Sequence, residues 1–162
     1  MIIEHTTPFI DAFAYVMTHY VKLRVKPEEP FFSTGKEETL TDRVTSVVEL
    51  TSKGFEGFLS ISFPRSLLQE AACKLLSNDE EMARENYLSL ACEIVNMISA
   101  RGKDRLKTQG IGFKVSLPII DAKGIKDRIT KIGKPALVIP FSVKGKGLIF
   151  FSLQIEKEAR SI

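Results

Sequence analysis

A chain of 162 residues with 44% apolar and 27% charged side chains has the ordinary make-up of one globular domain, which excludes a disordered or fibrous segment. The formal net charge of +3, from 23 basic and 20 acidic residues, is too small to argue for a nucleic-acid partner. Cys73 and Cys92, far apart in apolar contexts, exclude a disulfide framework, read as small core residues, and favour a reducing cytoplasm.

The opening Met1-Ile2-Ile3-Glu4-His5 has neither a basic region nor a cleavage pattern. Thr7-Pro8 then reads as the N-cap and first position of a helix running to Tyr20, apolar at Phe9, Ile10, Phe13, Val16 and Met17. A short extended piece over Val21–Val25 leads into Pro27-Glu28-Glu29-Pro30, and a surface loop is expected from there to Asp42. Val44–Leu50 and Phe55–Phe63, separated by Ser52-Lys53-Gly54, read as an antiparallel hairpin with one buried face. Pro64 starts a helix with a core face at Leu67, Leu68, Ala71, Ala72, Leu75 and Leu76.

Ser77-Asn78-Asp79 breaks that helix, and Asn78 or Asp79 is placed to cap a long one. Glu80 and Glu81 in its first turn and Arg101, Lys103 and Arg105 near its end complement the helix dipole. Gly112–Leu117 returns to a strand pattern, followed by a Gly- and Lys-rich connection over residues 121–134. Ala136–Val143 and Leu148–Ile155 form a second hairpin through Lys144-Gly145-Lys146-Gly147, in which the glycines are turn residues and not a phosphate loop. Strands grouped in hairpins predict a single α+β domain over residues 1–162, a mostly antiparallel sheet covered by helices, one of them long. No uninterrupted apolar run approaches the roughly 18 residues of a membrane span, so no membrane partner is expected. The basic residues from Arg101 to Lys134 have no interleaved aromatics to stack bases, and no nucleic acid is expected either. His5 and His19 lack the companions of a zinc site.

The long helix holds the most informative pattern. Ser89, Glu93, Asn96 and Ala100 share one narrow helical stripe, flanked by Leu88, Ala91, Ile94, Val95, Met97 and Ile98. Glu93 and Asn96, three residues apart, lie side by side on that face. By spacing alone the stripe is either a presented site or the wet edge of a half-buried helix.

The whole pattern resembles the CheX branch of the CheC/CheX chemotaxis phosphatase family, from about Pro8 to Leu153. Ser89, Glu93, Asn96 and Pro118 match the signature of an acidic residue or Ser, then Glu, then Asn two residues further, then a Pro on a strand about two dozen residues later. Gly57–Phe63 and Val138-Ile139-Pro140-Phe141 look like the family's flanking strands. Thr45-Ser46 stands where the family usually has a Ser-Gly step, and Asp121-Ala122-Lys123-Gly124 fits the loop after the motif Pro only loosely. The first helix shows Asp11-Ala12-Phe13-Ala14 where two-site CheC relatives carry another E-x-x-N, which implies one site per chain.

The resemblance implies dephosphorylation of a phosphorylated CheY-like receiver, with Mg2+ on that partner and no cofactor in this chain. Glu93 and Asn96 would be the catalytic pair, with Ser89 and Pro118 as supporting positions. Asn96, a neutral amide, suits orientation of a water and not proton abstraction; Glu93 suits a charge-assisted bond to the receiver's active-site Lys. A homodimer is implied too, and the apolar run Leu148-Ile149-Phe150-Phe151 offers either a pairing edge or core. The rival readings are a binding module like the middle domain of flagellar switch proteins, and a dimeric scaffold or sensor using a pocket between sheet and helix.

Overall fold

The computed structural model describes residues 2–36, 40–76 and 80–158. Helix α1 (Ile2–Val16) begins ahead of the Thr7-Pro8 signal, so Pro8 lies inside it. An interior proline costs about 3 kcal/mol in an isolated helix. Here Thr6 and Pro8 are buried and the His5 ring packs edge-on against Phe55 and Phe113, so tertiary packing carries the helix through. The last turn of the helix expected to Tyr20 widens into a π turn, Met17–Val21, closed by Lys22 at φ 64°, ahead of the extended piece.

The expected loop before Asp42 contains two short strands, β1 (Lys26–Pro27) and β2 (Phe31–Ser33). The first hairpin forms as read, from β3 (Arg43–Ser52) and β4 (Phe55–Pro64), and α2 (Arg65–Leu76) follows at once. The break and cap assigned to Ser77-Asn78-Asp79 lie outside the described residues. The long helix, α3, spans Glu80–Thr108. Of the strand expected at Gly112–Leu117 only β5 (Lys114–Val115) forms; Pro118, which lacks the N–H a continuous ladder needs, separates it from β6 (Ile119–Ile120), and both pair with β3. The connection after it is not all loop: α4 spans Gly124–Ile132, with the buried Ile129 on its inner side. The second hairpin is β7 (Ala136–Val143) and β8 (Gly147–Glu158), with Gly145 and Gly147 at φ 75° and 93° in its turn.

All pairings are antiparallel in one eight-stranded sheet of order β1-β7-β8-β4-β3-β5, with β2 also on β7 and β6 also on β3. β8 is therefore central, paired with both β4 and β7, and Ile149 and Phe151 are fully buried. This corrects the reading of the C-terminal hairpin as a pairing edge: Ile149 and Phe151 are core, Leu148 and Phe150 lie half-buried on the other face, and the sheet's edges are β1/β2 and β5/β6.

Alternation gives the sheet two different faces. Val48, Leu50, Leu59, Ile61, Phe151 and Leu153 point to the side covered by α1 and α3 and form the dry core with Phe13, Ile94 and Ile98. Gly102 of α3 sits so close to α1 that a Cβ there would overlap the Phe9 ring. The opposite face carries Thr45, Ser60, Ser62, Phe150 and Ser152 and is covered only in part, by α4.

Candidate functional site

Helix α3 presents the stripe outward. Ala91, Ile94, Val95 and Ile98 are completely buried, while Ser89, Glu93, Asn96 and Ala100 are all exposed. The apolar residues hold the helix on the sheet, and the helical period then leaves the carboxylate and the carboxamide adjacent on its free side.

The two side chains are held differently. The Tyr20 hydroxyl, carried by the π turn, donates to Glu93 Oε1 at 3.0 Å across 73 residues of sequence. Burial, then the bond to Glu93 and its negative charge, push the Tyr20 pKa above the usual phenol value, so the hydroxyl remains a donor through neutral pH. Asn96, by contrast, makes no side-chain hydrogen bond among the described residues; only its main-chain carbonyl is engaged, accepting from the buried Ser99 hydroxyl at 3.0 Å. The carboxamide is thus presented with both donors and its acceptor open.

The scaffold behind the stripe is tied at several points. Ser46, fully buried on β3 at the Thr45-Ser46 departure, donates its hydroxyl to the Ala91 carbonyl at 2.9 Å and pins α3 to the sheet. Arg105 pairs with Asp11 at 3.2 Å, and the Arg101 guanidinium lies 3.4 Å from the Tyr15 ring centroid, which itself stacks on His19 at 4.4 Å. These contacts bind α1 to the second half of α3. Cys92, beside Glu93, is half-buried and its thiol pKa is raised by burial, which makes it a poor nucleophile.

Ser89, Glu93 and Asn96 share the open face, whereas Pro118 lies off the helix, half-buried in the break between β5 and β6, on both of which α3 packs. Leu117, 85% exposed, precedes it. Sequence reasoning missed Tyr20, whose only signal was an aromatic residue closing the first helix. Among the described residues no group of three or more His, Cys, Asp or Glu side chains is placed to hold a metal ion, and no helix is long and apolar enough to cross a membrane.

Comparison with known proteins bears on what this arrangement is. The family model described as chemotaxis phosphatase CheX matches residues 44–142. A CheC-like superfamily protein from Shewanella sp. PV-4 is similar with a TM-score of 0.73 at 23% identity, over 96% of this chain and 99% of that one. A chain of the CheX–CheY–BeF3–Mg2+ complex from Borrelia burgdorferi is similar with a TM-score of 0.73 at 22% identity, over 93% and 97%. The FliM middle domain from Vibrio alginolyticus is similar with a TM-score of 0.56 at 12% identity, over 93% and 92%. At these identities the structural likenesses establish the fold. No curated protein sequence matches the chain significantly.

Proposed function

The chain belongs to the CheX family of chemotaxis phosphatases, and from that premise we propose that it removes the phosphoryl group from the aspartate of a CheY-like receiver. The observation that supports this most is Asn96: an exposed carboxamide with no side-chain partner among the described residues, on a 29-residue helix pinned to a sheet. The Borrelia relative, in a complex with CheY, BeF3 and Mg2+, supports a receiver as the partner.

Displacement at phosphorus needs an oxygen in line with the leaving carboxylate oxygen, and the catalyst contributes mainly position. Asn96 accepts from one water and donates towards the phosphoryl oxygens, so the water is held in line. It takes no proton, because an amide is no base at neutral pH. Glu93 docks the helix by a charge-assisted bond to the receiver's active-site Lys. Tyr20 already holds Oε1, which fixes the carboxylate's rotamer and leaves Oε2 for that Lys. Ser89 and Pro118 are supporting positions, and the Mg2+ of the reaction belongs to the receiver in this reading. The family resemblance also supports a homodimer, which sedimentation of the free protein reads directly.

Phosphoryl decay of a labelled CheY-like receiver tests the assignment. Wild type accelerates decay, and Asn96→Ala loses that stimulation by on the order of 10² or more, the usual effect of removing one positioned hydrogen-bonding group. Its thermal stability stays within about 0.5 kcal/mol, because the replaced side chain is exposed. Equal acceleration by both proteins removes Asn96 from the mechanism, and no acceleration by wild type leaves a binding module on the same fold. Glu93→Lys sets like charges face to face and weakens receiver binding in a titration; unchanged affinity removes the docking role.

A further inference from the structure

The second face of the sheet holds a cavity that the phosphatase reading does not use. It measures about 330 Å³, within the range of small-molecule sites, and lies between that face and the start of α4. Its floor is unusual for the middle of a sheet: Ser60 and Ser152 sit directly opposite each other on β4 and β8, at 2% and 3% exposure. Neither hydroxyl has a hydrogen-bond partner among the described residues, and neither is sealed from the cavity, so both are open to whatever occupies it.

At one end of the cavity stands Arg43. Its Nε donates to Ser62 Oγ at 2.8 Å, and Nη2 donates to the carbonyls of Ser62 and Leu148 at 2.8 and 2.6 Å. Nη1 has no partner among the described residues, and the guanidinium rests 4.6 Å from the Phe150 ring centroid. All its acceptors are neutral. The two aspartates on the cavity wall are engaged elsewhere, Asp42 with Arg65 at 3.0 Å and Asp121 with Arg128. Burial pulls the Arg43 pKa down to about 10, which still leaves it fully charged at neutral pH. A half-buried cation without a counter-charge is costly unless something supplies one.

We propose that this cavity binds a small organic anion, its oxyanion head facing Arg43 Nη1 and the Ser60 and Ser152 hydroxyls, and its apolar body lying against Val138, Phe31 and Phe150. The apolar wall is what separates such a ligand from a bare inorganic ion. The site stands on its own side of the sheet, so it is independent of what Asn96 does.

Calorimetric titration with three probes, benzoate, benzamide and inorganic phosphate, tests the proposal. Benzoate binds saturably with one site per chain, and its neutral isostere benzamide binds at least tenfold more weakly. Arg43→Gln loses benzoate by a similar factor. Because Arg43 also ties β4 to β8, Ser152→Val is the second variant: it suits a strand, fills the floor and removes a hydroxyl, and it too abolishes binding while thermal melting stays cooperative. Failure of benzoate to bind, equal binding of benzamide, or benzoate binding unchanged in both variants overturns the site. Phosphate binding more tightly than benzoate overturns the organic ligand in favour of a free inorganic oxyanion.

Discussion

The two faces of one sheet are built on opposite terms. Towards α1 and α3, the strands present mainly large apolar side chains at or near zero exposure, with the buried Ser46 hydroxyl bonded to the Ala91 carbonyl. Towards α4, the same strands present Thr45, Ser60, Ser62 and Ser152, a desolvated arginine and an ion pair. The first face is a platform: it holds α3 rigid so that two exposed side chains keep a fixed separation. The second leaves room. A dry face resists any change of volume, while a half-covered one tolerates filling but not the loss of a charge partner.

The largest expected effect lies on the dry face. Phe151 is fully buried beside Phe13, with ring centroids 6.1 Å apart. Phe151→Ala should cost about 3–5 kcal/mol in chemical unfolding, a large part of the stability of any domain this size. A loss below about 1 kcal/mol would show that α1 and α3 collapse onto the gap, and that the platform is softer than its packing indicates.

On the other face the same magnitude should come from charge. Asp121 accepts from the Gly124 amide through Oδ1 at 3.1 Å and pairs with Arg128 through Oδ2, with the two side chains only 17% and 12% exposed. Burial lowers the Arg128 pKa, and Asp121 opposes that shift by stabilising the cation. Asp121→Ala strands a buried guanidinium and frees the first turn of α4, at a cost of about 3 kcal/mol. Replacing both residues by apolar ones of similar size should restore most of it, and hydrogen exchange should confine the damage to α4. Equal losses in the single and double variants would mean that the backbone contact to Gly124, and not the charge, holds α4.

The same contrast explains what could be read from the sequence. On the dry face alternation of period two is unbroken from Phe55 to Phe63, so both long hairpins were legible, and the apolar positions of α3 showed which way Glu93 and Asn96 point. The wet face gave no such signal. Ile125 and Ile129 have helical spacing, but glycine and lysine around them mask it, so the local pattern of α4 reads as a connection. β1 and β2 exist only because β7 offers them an edge, a pairing no local pattern encodes in a segment with Pro27 and Pro30. The cavity joins residues from five strands and a helix, so the pocket-based sensor reading had no polar constellation to rest on in sequence. Pro8 failed as a start signal because the buried Thr6 and the packing of the His5 ring on Phe55 and Phe113 outweigh its helix-breaking cost.

The smallest effect tests how the platform meets the candidate site. Tyr20→Phe removes the hydroxyl that holds Glu93 Oε1 and nothing else, at a half-exposed position, so the stability change should be at most about 1 kcal/mol. Its signature is kinetic and pH-dependent. A looser Glu93 should raise KM for the phosphorylated receiver and leave kcat nearly unchanged, since the proposed mechanism gives the orientation of the water to Asn96 alone. The folded chain holds the Tyr20 proton more tightly than the unfolded chain, because its pKa is raised. The stability it contributes is therefore complete below the ordinary phenol pKa of about 10 and is lost as pH climbs through the raised folded value. Wild type and Tyr20→Phe should accordingly converge in urea midpoint as alkalinity increases. A gap that stays constant with pH, or a fall in kcat with KM unmoved, would show that the π turn does not position Glu93.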